Sequence, residues 1–121
     1  MSVAPNLLAQ DFQATAVNEK WLADITYIPT DEGWLYLATI EDLFSRLIAG
    51  WAMESYLTDQ LTRKSLQMAL IRRRPRAGLI HHSDRGGQYA SDAYRALLTA
   101  AQIVPSMSST GNAYDNAPME S

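Results

Sequence analysis

The chain has 121 residues, of which 47% are apolar and 19% charged, and its net charge is −3. The length fits one domain with a buried core, and the composition is that of an ordinary globular protein. It contains no cysteine, which excludes disulfides and thiolate zinc sites. No apolar run reaches the roughly 18 residues of a membrane span, and the first residues lack the pattern of a signal peptide. We therefore expect a cytoplasmic protein without a membrane partner.

The acidic balance argues only weakly against a nucleic-acid partner. Proteins that hold DNA by its phosphates usually carry an excess of basic side chains. If metal neutralised three carboxylates of this chain, its acidic and basic side chains would be equal in number. A DNA contact would then have to be local, or other segments would have to supply it.

The first half of the chain predicts a linker followed by three strands. Residues 1–20 begin with a polar, small-residue stretch that has no sustained period. The predicted strands are rich in strand-forming or apolar residues and span Trp21–Ile28, Trp34–Ile40 and Arg46–Met53. Pro29 is expected to end the first strand, and the apolar run of the second predicts cover on both faces. Short connections between the three predict an antiparallel meander.

In the second half the period changes to that of helices alternating with strands. Thr58 is a predicted N-cap for a helix that runs from Asp59 to Arg74 and ends before Pro75, and Ser91 is a second N-cap. Short strands are predicted at Leu79–Ser83 and Ile103–Met107, with a loop at residues 85–88 and the start of a last helix at Pro118. The order predicts an α/β fold with a mixed five-stranded sheet, in which the meander is joined by two parallel strands and flanked by helices.

Three carboxylates stand at positions suited to metal. Asp24 lies inside an apolar strand, where an ionised carboxylate is costly unless it is paired, hydrogen-bonded or bound to a cation. Asp84 follows a strand end, where ligands collect in α/β sheets, although a turn or helix-capping role is also common there. Glu120 gains its weight from lying 36 positions after Asp84. Clustered carboxylates hold hard cations such as Mg²⁺, which can drive phosphodiester chemistry.

Other polar clusters favour structural roles. The Glu41-Asp42 pair also ends a strand, but the tight turn that follows it favours a structural role. His81 and His82 lack further histidines or cysteines to complete a metal site, and we expect one to face the core and the other the cleft. The arginines at positions 72, 73, 74 and 76 favour a helix-end role, with phosphate contact as the alternative.

Four segments together resemble the catalytic core of bacterial insertion-sequence transposases of the OrfB type, which itself resembles retroviral integrase. They are Asn18–Ile28, Asp42–Met53, His81–Tyr89 and Ser108–Ser121. The resemblance implies a ribonuclease-H-like fold and an acidic triad of Asp24, Asp84 and Glu120 that binds two Mg²⁺ or Mn²⁺ ions. It also implies hydrolysis at transposon ends, followed by attack of the freed 3′ hydroxyl on target DNA by a protein that works as a multimer.

The resemblance also suggests which residues contact DNA. Near Asp84 we predict contacts from His82, Arg85, Gly86 and Gly87, because glycines permit close approach of a substrate backbone. The loop before Glu120 matches the family at Gly111 and Pro118 and lies close to DNA by resemblance, and there we predict contacts from Asn112, Tyr114 and Asn116.

The departures from the family pattern set further expectations. Family members normally begin with a helix-turn-helix region and continue past the glutamate through a long helix. We therefore expect residues 1–20 to be a linker from a missing DNA-binding region, and residues 21–121 to be a core that is incomplete at its C-terminus. A truncated helix would hold Glu120 poorly, so low activity is expected. The alternatives are a nuclease that only hydrolyses DNA, or an inactive remnant that regulates a transposase or binds DNA.

Overall fold

A computed structural model describes residues 12–84 and 86–108. Within these ranges the chain forms five strands and two helices in the predicted order, with one additional short helix. They are β1 Lys20–Thr30, β2 Gly33–Asp42, β3 Ile48–Glu54, α1 Asp59–Arg73, β4 Ile80–Ser83, α2 Gly87–Ala90, α3 Asp92–Ala100 and β5 Val104–Met107.

The strands form one mixed sheet in the order β3-β2-β1-β4-β5. β1, β2 and β3 pair antiparallel as a meander, while β4 pairs parallel to β1 and β5 pairs parallel to β4. The α1 and α3 crossovers connect the parallel strands, as expected for connections too long to be hairpins. The predicted mixed five-stranded sheet with flanking helices is confirmed.

One face of the sheet packs against α1 and α3 through the main apolar core. This core unites Trp21 of β1, Leu66 of α1 and Tyr94 of α3, all of which are fully buried. Gly50 of β3 lets α1 lie close to the sheet, because a Cβ there would stand 2.1 Å from the Ser65 carbonyl oxygen. Close packing thus fixes the helix against the strand that it follows.

The other face of the sheet is covered at one end only, among the described residues. There Phe12 packs with Leu22 and Leu43 in a second, smaller cluster. Farther along, Leu35 and Leu37 of β2 are only half-buried, and Trp51 of the neighbouring β3 is 47% exposed. The prediction that the second strand is covered on both faces is therefore not met in the described part of the chain.

Two local predictions were wrong at their boundaries. Pro29 does not end the first strand, since β1 runs on to Thr30 and Pro29 pairs with Trp34. A proline is tolerated there because, among the described strands, β1 has a neighbour on only one side beyond Leu22. The predicted loop at residues 85–88 overlaps α2, whose four residues are too few to give a periodic signal.

Candidate metal and phosphodiester site

The cleft of the molecule arises because β1 is longer than its parallel neighbour. β4 pairs with β1 only from Lys20 to Leu22 and ends at Ser83, whereas β1 continues to Thr30. The chain leaving β4 therefore diverges from β1 and leaves a gap beside it. Such a gap at the carboxyl ends of parallel strands is where α/β sheets commonly bind ligands.

Asp24 and Asp84 both line this cleft, whose volume is about 210 Å³. Asp24 projects from β1 and is half-buried, while Asp84 follows β4 directly and is exposed. Strand positions fix both backbones, so two of the three predicted ligands meet at one site. The third, Glu120, lies outside the described residues. Within those residues, no three histidine, aspartate or glutamate side chains group as metal ligands.

A hydrogen bond from Ser108, directly after β5, holds the Asp84 side chain. The Ser108 hydroxyl donates to Asp84 Oδ1 at 3.2 Å, and the Ser108 amide donates to the Ser83 carbonyl at 3.0 Å. On the other side, the Gly86 amide donates to the Asp84 carbonyl at 2.9 Å. The end of β5 therefore sets the position of this carboxylate, which favours a preformed site.

The wall of the cleft opposite β1, formed by residues 86–91, is hydrogen-bonded to the start of α1. The Thr62 hydroxyl donates to the Gln88 carbonyl at 3.0 Å, and the Ser91 hydroxyl donates to Asp59 Oδ2 at 2.8 Å. Ser91 also accepts from the Tyr94 amide as the predicted N-cap of α3. Helix α1 thus anchors the second wall of the cleft as well as the sheet.

Below the cleft lies an aromatic cluster of Tyr89, Tyr94 and His81. The Tyr89 and Tyr94 rings meet edge to face with centroids 5.4 Å apart, and Tyr94 Oη lies 2.6 Å from His81 Nε2. Burial lowers the pKa of His81 to about 4, so its imidazole is neutral near pH 7. Burial, followed by the neighbouring Tyr94 and the carboxylates of Asp24 and Asp84, raises the pKa of Tyr89.

Tyr89 and Gln88 line the cleft, and the sequence reasoning did not single them out as functional. The sequence carries no periodic or spacing signal that marks Tyr89 as part of the site. A buried tyrosine hydroxyl also needs a partner that its ring does not need.

The predicted DNA contacts meet different outcomes. His82 was expected at the cleft or in the core, and the structure buries it completely, with Nδ1 2.8 Å from the Ser106 hydroxyl and Phe12 against its ring. The prediction that His82 contacts DNA is therefore wrong, because its side chain exposes no surface. Gly86 lines the cleft and Gly87 is exposed beside it, as their predicted role requires. Arg85, Asn112, Tyr114 and Asn116 lie outside the described residues.

Asp42 has the structural role expected of it. Its side chain is fully buried and accepts from the amides of Asn18 and Phe44 at 2.9 Å each. Arg73 adds an ion pair at 3.2 Å, so one member of the basic run serves this aspartate. These contacts account for the burial of the carboxylate without a metal ion.

A second, larger groove contains acidic side chains that come only from a turn. With a volume of about 720 Å³, it is far larger than the carboxylate cleft and lies between the β1–β2 turn and the end of β3. Its two acids, Asp31 and Glu32, are exposed residues of the turn itself. We place the site at the smaller cleft because there the carboxylates come from two neighbouring strands.

This mixed sheet order with helical crossovers is that of a ribonuclease-H-like fold, and its cleft carries Asp24 on β1 and Asp84 directly after β4. Residues 14–113 match the family model described as integrase core domain. The chain therefore belongs to the integrase core domain family. No helix in the described ranges has the length and apolar character that crossing a bilayer requires.

Curated relatives match over the whole chain. It is 54% identical over 121 residues to the insertion element IS600 uncharacterized 31 kDa protein of Shigella sonnei, and 52% identical to the transposase InsF for insertion sequence IS3A of Escherichia coli strain K12. The chain spans 44% and 42% of these two relatives, which is less than half of their length.

Solved structures share the fold at low sequence identity. A chain of the simian T-cell lymphotropic virus intasome in complex with PP2A regulatory subunit B56 gamma matches with a TM-score of 0.75 and 21% identity, over 85% of this chain and 36% of that one. The HTLV-2 integrase catalytic core domain in complex with magnesium matches with a TM-score of 0.64 and 20% identity, over 75% of this chain and 61% of that one.

Proposed function

We propose that this chain carries the catalytic core of a DNA transposase, which hydrolyses phosphodiesters at transposon ends and transfers the 3′ hydroxyl into target DNA. The observation that carries the proposal is the meeting of Asp24 and Asp84 in one cleft. Membership of the integrase core domain family and relatives that include a transposase support it.

The residues of the cleft fit a divalent cation. Two carboxylates on adjacent strands supply the oxygen ligands that Mg²⁺ and Mn²⁺ prefer, and an exposed Asp84 leaves the site accessible. Glu120 is the proposed third ligand, and two ions are proposed for the complete site. Bound cations would activate the attacking oxygen and stabilise the leaving one. The magnesium of the HTLV-2 integrase core supports this choice of metal.

The protein itself positions the two carboxylates and keeps the cleft open to a substrate. Ser108 orients Asp84 through Oδ1, and β1 holds Asp24 beside it. Gly86 and Gly87 keep the cleft mouth free of side-chain bulk, which permits a DNA backbone to approach. We propose DNA as substrate and target and a homo-oligomer as the working form. The dimeric and trimeric forms of the HTLV-2 integrase core support the latter.

Metal titration of variants tests the proposed site. Titrating Mn²⁺ into Asp24→Asn and Asp84→Asn should show affinity lowered by at least about tenfold, since losing even the partner of a ligand costs about 10- to 100-fold. Asp31→Asn is the matched control, because it removes the same charge from an exposed turn. Affinity equal to that of the unchanged protein in both cleft variants would refute the metal site.

End-labelled transposon DNA tests the reaction itself. Joining of the labelled end to a second DNA marks strand transfer, whereas shortened ends without joined products mark a nuclease that only hydrolyses. We expect joined products at a low level that disappear in Asp24→Asn, because the same carboxylates serve both steps.

A further inference from the structure

Tyr89 carries a buried hydroxyl that no described residue satisfies. The residue is 4% exposed, and its Oη has no hydrogen-bond partner within residues 12–84 and 86–108. Buried polar side-chain atoms nearly always have a partner, and each exception calls for a physical explanation. The Ser83 hydroxyl is also unpartnered, but Ser83 does not line the cleft, whereas Tyr89 does.

Tyr94 provides an internal comparison. Both tyrosines belong to the main core, and their rings contact each other edge to face. Tyr94 Oη lies 2.6 Å from His81 Nε2, so the protein satisfies this hydroxyl itself. The ring of Tyr89 is packed as well as that of Tyr94, and only its hydroxyl is left over. Packing therefore explains the ring and not the hydroxyl.

We propose that the Tyr89 hydroxyl donates a hydrogen bond to an oxygen atom, of water or of a phosphate group, held at the floor of the cleft beside Asp24 and Asp84. Tyr89 would then be a positioning residue for what the carboxylates bind. The inference rests on the proposed function in taking this cleft as the site of phosphodiester chemistry. A tyrosine hydroxyl that remains protonated suits the role, since only the protonated form can donate.

Two consequences distinguish this role from a structural one. Replacing Tyr89 by phenylalanine removes no hydrogen bond inside the protein, so the melting temperature should stay the same or rise. Binding in the cleft should weaken by about 2- to 10-fold, the share of one hydrogen bond. Tyr94→Phe should lower the melting temperature and leave binding in the cleft unchanged, because its hydroxyl bonds to His81 and not to a group in the cleft.

The experiment compares Tyr89→Phe, Tyr94→Phe and the unchanged chain in three measurements. These are thermal unfolding without metal, Mn²⁺ affinity without DNA, and affinity for a short DNA duplex in Ca²⁺. If the oxygen belongs to water at the metal site, the loss in Tyr89→Phe shows with Mn²⁺ alone. If it belongs to a phosphate, the loss shows only with DNA. Either pattern, with unchanged or raised stability, supports the inference.

Two outcomes would overturn it. One is a Tyr89→Phe protein with both affinities unchanged. The other is a Tyr89→Phe protein that loses as much stability as Tyr94→Phe, because its hydroxyl would then be satisfied inside the protein. The proposed function fails separately, if Asp24→Asn binds Mn²⁺ as well as the unchanged chain.

Discussion

Asp42 and Asp24 lie on adjacent antiparallel strands, and the protein surrounds them in opposite ways. Asp42 is fully buried, and backbone amides and Arg73 supply hydrogen bonds to both of its oxygens. Asp24 is half-buried and lines a cleft with a second carboxylate, Asp84. A strand aspartate enclosed by donors stabilises the fold, whereas two aspartates that face one opening suit the cation site proposed for them. Surroundings, and not strand position, separate the two roles.

The largest expected effect is the loss of stability when the enclosed carboxylate of Asp42 is removed. Asp42→Ala should lower the free energy of unfolding by about 3–5 kcal/mol, because it leaves buried donors and Arg73 unpaired. Asp42→Asn keeps an acceptor for Phe44 and should cost less. Asp24→Asn should change stability by under about 1 kcal/mol, as for a side chain outside the core. Urea unfolding measures all three, and equal losses in Asp42→Ala and Asp24→Asn would remove the distinction.

The second effect concerns the layer beneath the cleft and depends on pH. The pKa of His81 is about 4 in the folded protein, against about 6.5 in the unfolded chain. The unfolded chain therefore binds a proton that the folded protein does not. This makes stability fall as pH drops from about 6.5 to about 4, by up to roughly 3 kcal/mol. Unfolding measured across this range should show a shallower fall for His81→Gln, and identical slopes would contradict a neutral buried imidazole.

The third effect compares a glycine on the covered face of the sheet with a glycine at the mouth of the cleft. Gly50→Ala places a Cβ 2.1 Å from the Ser65 carbonyl oxygen, so α1 must shift. We expect a loss of about 1–3 kcal/mol by thermal or urea unfolding, as for overpacked cores. Gly87→Ala is the control, since a Cβ there meets nothing within 4 Å. A Gly87→Ala protein that unfolds as easily as Gly50→Ala would mean that the cleft wall supports the fold.

The sequence predicted the elements where local signals are strong. Strand-forming runs, the Ser91 cap and the break before Pro75 located all five strands and both long helices to within two residues. Asp24 and Asp84 were found because a charge in an apolar strand and a charge at a strand end are visible in one dimension.

The rest depends on partners distant in sequence. The structural role of Asp42 rests partly on Arg73, 31 residues away, and the burial of His82 on Phe12 and Ser106. Tyr89 matters because its hydroxyl lacks a partner in three dimensions, which no period or spacing can reveal. The prediction for Pro29 was wrong because proline interrupts a strand that is paired on both sides, whereas β1 beyond Leu22 pairs on one side within the described ranges.

That open side of β1 bears on how the protein avoids aggregation. A strand edge with unpaired amides and carbonyls is a template on which another chain can add a strand. β1 has such an edge beyond Leu22 among the described residues, next to exposed side chains such as Tyr27. Pro29 has no amide hydrogen to offer there, which interrupts the ladder that an incoming strand would need. The same residue that seemed to end the strand thus protects it from its own copies.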